Sequence, residues 1–285
     1  MKEKLRTSFS AGLSGTALKM IALICMVFDH LHYFFGYTGL IPDWFSMLGR
    51  ISAPLFLFCV AEGFAHTRNR KRYFLRVYCI SALMGGFLFL TSFGVIPCRP
   101  DGFVPMNAIM MNFVILMALW QGIDWLKQKR VVAGLLAILL PLIWPIAANA
   151  AAMAVPALAT PIGALCFTLL PAWSFISDGG LFFILGGVIL YALRGQRRWQ
   201  AAGYALFTLA ANFALPAFML SSQPGFSIVQ MFTQYYEWFG VAAVALMLLY
   251  NGQRGKGYQK LFYVFYPAHV YILYALSWAA IVLLH

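Results

Sequence analysis

The sequence predicts an all-α integral membrane protein: a polytopic helical bundle of about nine to ten transmembrane helices with a cytoplasmic N-terminus, forming one domain over residues 1–285. Three observations predict it. Of the residues, 62% are hydrophobic and 10% charged, and the mean hydropathy is +0.80, more apolar surface than a soluble core of this length needs. Apolar runs of about 20 residues recur along the chain, the length that crosses a hydrocarbon layer as a helix. The basic residues, which give a formal charge of +12, fall in short clusters between those runs. That is the positive-inside pattern, and no nucleic-acid module or long basic arm accompanies it.

Each element follows from this alternation. The first span, 17–38, comes after Lys2, Lys4 and Arg6 and carries Lys19; it is too long and too polar for a cleaved signal peptide. The spans 45–65 and 73–95 flank the inner cluster Arg68, Arg70, Lys71, Arg72 and Arg76, and 106–126 and 131–148 flank Lys127, Lys129 and Arg130. Spans 179–193 and 199–220 meet at Arg194, Arg197 and Arg198, and 229–249 and 261–283 at Arg254, Lys256 and Lys260. Outer connections at 39–44, 96–105 and 221–228 hold turn residues such as Pro42, Pro97, Gly102 and Pro224. Of the 20 basic residues only Arg50 and Arg99 fall off the inner side. The apolar stretch 149–178 is expected to be a re-entrant or interfacial hairpin, because a full crossing there would carry Arg194–Arg198 outside. The location expected is the bacterial cytoplasmic (inner) membrane. No internal repeat is visible, which weakens a transporter built on inverted repeats. The cysteines Cys25, Cys59, Cys79, Cys98 and Cys166 show no ligand spacing, so neither a metal site nor a disulfide framework is expected.

Chemistry is concentrated in ionisable groups inside the spans, where charge is costly and is functional by default. Lys19 and His30 stand eleven residues apart, on one helix face and about 16 Å along the axis. That separation suits a pantetheine arm with a cation at one end and a proton-transfer group at the other. Asp29 is about 100° from His30 and cannot orient it as in a triad; it is expected to pair with Arg50. Counting residues puts His269 at a depth similar to that of His30, roughly 13 Å above Lys260. Glu62 and Glu237 are further intramembrane acids, and His66, Arg68, Arg70, Lys71 and Arg72 line the inner rim. Such rim cations suit the phosphates of an acyl carrier, a midplane histidine suits a general base or acyl relay, and Arg50 suits an oxyanion. Plainer roles stand beside these: topology anchoring for the rim, a buried partner of the rim for Glu62, and helix packing for Tyr266.

The sequence resembles the TraX family of conjugal-transfer membrane proteins. The resemblance is carried by Ser14-Gly15-Thr16-Ala17-Leu18-Lys19 with Asp29-His30, by Leu48-Gly49-Arg50-Ile51-Ser52-Ala53-Pro54, and by Glu62-Gly63-Phe64-Ala65-His66-Thr67-Arg68-Asn69-Arg70. It continues in Tyr250-Asn251-Gly252-Gln253-Arg254-Gly255 and Tyr266-Pro267-Ala268-His269, and so covers essentially the whole chain. A basic residue followed eleven positions on by histidine is also similar to the signature of the acyltransferase-3 group. The resemblance implies an acetyltransferase that takes its acyl group from acetyl-CoA and delivers it to an outward-facing amine or hydroxyl, such as a pilin N-terminus or a surface glycan. It implies that His30 is catalytic, that Lys19 lies near the coenzyme A path, that Arg68 and Arg70 contact the nucleotide, and that Arg50 supports the centre. The partners implied are a coenzyme A thioester, membrane lipids and the acceptor, with no nucleic acid and no metal. Two rivals are kept. A proton-coupled transporter would use Asp29, His30, Glu62, Glu237 and His269 as a relay. A non-enzymatic component of pilus or secretion assembly would use the buried charges only to hold helices together.

Overall fold

The computed structural model describes residues 12–176 and 179–284, so Lys2, Lys4, Arg6 and Asp178 lie outside the described residues. Among the described residues the named elements are all helices and no strand forms, as the composition requires. Seven helices are long and apolar enough to cross a membrane: Gly15–Thr38, Trp44–His66, Arg70–Ser92, Ile109–Lys127, Val131–Ala154, Arg197–Leu220 and Lys260–Leu283. Three shorter apolar helices join them, Pro156–Thr168, Gly180–Ala192 and Tyr236–Leu248. The protein is a polytopic helical membrane protein. Its chain divides into two compact units, residues 1–59 with 196–259, and 60–195 with 260–285.

The first unit contains α1 (Gly15–Phe35), α2 (Trp44–Gly49) and the start of α3 (Ser52–His66). The span expected over 45–65 is thus broken at Arg50 and Ile51. Pro54 has no N–H to give the Arg50 carbonyl, so the regular ladder fails there. Ser52 Oγ donates to the carbonyl of Ala22 at 2.8 Å, fastening α3 to α1. Phe28 packs edge-on against Phe45 at 4.7 Å, fastening α2.

The second unit holds the rest of α3 with α4 (Arg70–Ser92), α5 (Ile109–Lys127), α6 (Val131–Ala154), α7 (Ala159–Thr168), α8 (Gly180–Ala192), and, at the chain's end, α13 (Gln259–Leu284). Small residues bring α5 and α6 together: a Cβ on Gly122 would stand 2.8 Å from the Gly134 carbonyl oxygen. Leu135, Leu139, Ile143 and Ile146 form an exposed stripe on one side of α6, a lipid-facing surface. The stretch after α6 follows the charge argument. The helix continues to Ala154, and α7 then descends beside α4, with Gly163 against Phe93 and the Phe167 carbonyl on Gly85. Tyr78 Oη donates to the Leu169 carbonyl at 2.9 Å, about 12 Å above the inner end of α4. The chain then turns beside α6, where Trp144 Nε1 donates to the Leu170 carbonyl and Trp173 Nε1 to that of Leu142, both at 3.1 Å. It regains the outer part of α5, where Phe183 meets Phe113 at 5.9 Å. So α7 dips in and returns without crossing, and α8 carries the chain to Arg194.

The first unit resumes with α9 (Arg197–Leu209), a π-type widening over Ala210–Ala214, α10 (Leu215–Leu220), the short α11 (Gln230–Thr233), a 3-10 stretch over Tyr236–Ala242, and α12 (Ala243–Leu248). The span expected over 229–249 therefore begins as continuous helix only at Tyr236. Trp238 Nε1 donates to the Met231 carbonyl at 2.7 Å, folding the preceding segment against it.

Candidate functional site

The inner end of α1 is built from two distant stretches of sequence. Ser14 caps the helix, its hydroxyl accepting from the Ala17 N–H at 3.2 Å. The loop 250–256 then closes over this end. Gly15 N donates to the Gln253 carbonyl at 2.8 Å and Thr16 N to that of Arg254 at 3.0 Å. Thr16 Oγ1 shares its proton between the Lys256 carbonyl at 2.6 Å and the Arg254 carbonyl at 2.9 Å. Leu13 and Tyr250 form a parallel bridge beneath. Gly255 has φ +76°, and a Cβ there would stand 2.5 Å from Ser14 Oγ, so only glycine fits the closure. Lys19 sits one turn further in, within electrostatic reach of Arg254 and Cys59.

Toward the other end of α1 the structure joins three charges. Arg50 Nη2 lies 3.2 Å from Asp29 Oδ1, and Arg50 Nη1 2.8 Å from Glu237 Oε1. Ser46 completes the group, accepting from Arg50 Nη2 at 2.7 Å and donating to Asp29 at 3.2 Å. Arg50 Nε donates to the Ser46 carbonyl at 3.3 Å. All three guanidinium nitrogens are therefore engaged, and Arg50 organises two carboxylates from separate segments. The Asp29 side chain lies directly on Gly49, where any Cβ would overlap it. His30 is 7% exposed and meets Phe34 edge-on at 6.0 Å. His32 lies at the opposite, outer interface, its Nε2 3.1 Å from Asp43 of the 39–44 connection.

The second unit holds the other sequence candidates. Glu62 is buried, and the Glu62 carbonyl lies 2.9 Å from His66 Nδ1. A carbonyl only accepts, so that nitrogen carries the proton. His269 is held the same way, with Nδ1 2.8 Å from the Phe265 carbonyl. Its ring stacks on Phe265 at 4.9 Å and meets Tyr266 at 5.7 Å. Arg68 is exposed. Arg70 instead enters a buried node centred on Asp124, with Nη1 2.8 Å from Oδ2. The same carboxylate accepts from Tyr191 Oη at 2.8 Å and from Arg194 Nη2. Sequence reasoning missed this node. The available signal was an acid near the end of a span, flanked by basic loops that converge on one side. Among the described residues no three His, Cys, Asp or Glu side chains cluster as a metal site would need.

Comparison with known proteins places the chain. The family model described as TraX protein matches residues 14–277. A Dichelobacter nodosus protein named probable fimbrial assembly protein FimC, serogroup H1, is 27% identical over 273 residues, 91% of this chain and 94% of that protein. No solved structure matches the chain.

Proposed function

Because the chain belongs to the TraX family, we propose that it is a membrane-embedded acyltransferase that moves an acetyl or short acyl group from cytoplasmic acetyl-CoA to an outward-facing amine or hydroxyl. The acceptor in this reading is a pilin N-terminus or a surface glycan, and the membrane is the inner membrane of a bacterium. The relative's name, a fimbrial assembly protein, supports the pilin end of that range.

The observation that carries the proposal is the construction of α1. It is one unbroken helix over Gly15–Phe35, with Lys19 near its capped end and His30 eleven residues further along the same face. Lys19, with Arg254 beside it, supplies positive charge for the donor's phosphates. His30 takes the proton of the acceptor amine or hydroxyl as that group attacks the thioester carbonyl carbon. The carbon–sulfur bond then breaks, and the coenzyme A thiolate leaves with the proton from His30. Asp29, Arg50 and Glu237 act as positioning residues that fix the helix carrying His30. His30→Ala is expected to lower acetyl transfer in membranes by about 10²-fold or more in protein shown to be folded. Intact transfer in that variant would overturn the assignment.

The relative's name also favours a second reading, a non-enzymatic assembly component. Under that reading His30→Ala acts on stability alone, and the unaltered protein transfers no acyl group.

A further inference from the structure

The basic residues that open α4 divide between two faces. Arg70 turns inward to Asp124. Lys71, Arg72 and Arg76 are exposed and, among the described residues, form no ion pair. Those three cations line the upper half of an open groove of about 600 Å³ that Tyr263 of α13 closes on one side. The lower half is apolar: Leu75, Cys79 and Ile80, one and two turns further along the same helix. Leu83, a turn beyond Cys79, is 76% exposed and continues the apolar track. α4 and α13 run parallel, since Phe87 meets Tyr271 at 4.7 Å and Arg99, beyond the far end of α4, meets Ser277 at 3.1 Å. The groove thus begins at the basic, inner ends of two helices and runs toward the hydrocarbon. Asn69 fixes where it begins by accepting from the Arg72 N–H at 2.9 Å.

Three unneutralised cations directly above an apolar track match an amphiphile with an anionic head. We propose that this groove binds one anionic phospholipid, its headgroup phosphate against Lys71, Arg72 and Arg76 and an acyl chain along Leu75, Cys79 and Ile80. Basic pockets between helices on the cytoplasmic side recognise such headgroups. A soluble phosphate would leave the apolar half without a partner. The site lies wholly within the second unit and does not depend on the acyl-transfer reading.

Native mass spectrometry of the full chain, delipidated and titrated with phosphatidylglycerol or phosphatidylcholine, tests the proposal. One phosphatidylglycerol is expected to be retained, with at least a ten-fold preference over phosphatidylcholine. The triple change Lys71→Gln, Arg72→Gln, Arg76→Gln should abolish the preference. The triple change Lys127→Gln, Lys129→Gln, Arg130→Gln, at another exposed inner loop, should leave it intact. Leu75→Asn, which keeps the cations and adds no charge, should lower retention at least five-fold. Equal loss in both triples would show that general positive charge, not the groove, holds the lipid, and would overturn the proposal. Displacement of the lipid by millimolar glycerol 3-phosphate would overturn it too, by showing a headgroup-only site. Displacement by coenzyme A would assign the groove to the donor instead.

Discussion

At the scale of single residues, Arg50 carries more than its sequence position suggests. It holds Asp29 and Glu237 at once and uses Ser46 on both its side chain and its carbonyl. Removing it strands Asp29, whose side chain is 24% exposed, so Arg50→Ala should cost about 3–5 kcal/mol in a denaturation experiment in detergent. Glu237 is 61% exposed, and Glu237→Gln should cost no more than about 1 kcal/mol. Equal costs for the two variants would contradict the ranking. The Asp29–Arg50 pair was legible in the sequence, because a lone arginine off the basic side needs a neighbouring acid. The arrival of Glu237 was not, since it depends on the fold of the 3-10 stretch 236–242 against the break at Arg50. Asp124 was missed for a related reason: it sits where a span meets its basic loop, and nothing local distinguishes a solvated acid from one that two arginines enclose.

At the scale of elements, the charge rule placed most helices and also the one that does not cross. Arg194–Arg198 could remain inside only if 149–178 returned to the side it entered from, and α7 does so beside α4. Its closest approach is at Gly85, where a Cβ would collide with the Phe167 carbonyl. Gly85→Ala should therefore push α7 away from α4 and cost about 1–3 kcal/mol, read as a lower melting temperature. An unchanged melting temperature would mean that the hairpin packs more loosely than described. The break before α3 was in principle readable from Pro54. The π-type widening at Ala210–Ala214 was not, because its residues are ordinary helix formers and the extra residue per turn answers to packing from Trp238 and Phe232.

At the scale of the whole molecule, the distribution of basic residues and the course of the chain make one topological statement. In sealed right-side-out vesicles, a membrane-impermeant maleimide should label Leu158→Cys, at the entry to α7, in a background without native cysteines. Gly195→Cys, between α8 and α9, should be labelled only after permeabilisation. Labelling of both from the same side would remove the re-entrant reading. Family membership and the helical membrane fold are established, and the central claim is that this scaffold handles a coenzyme A thioester through the Lys19–His30 face of α1. Calorimetric titration of the purified full chain with acetyl-CoA tests it most directly. Binding in the micromolar range is expected, weakened about ten-fold or more by Lys19→Ala as the donor's phosphates lose a partly buried charge partner, and left intact by His30→Ala. Absence of binding by protein shown to be folded would contradict it.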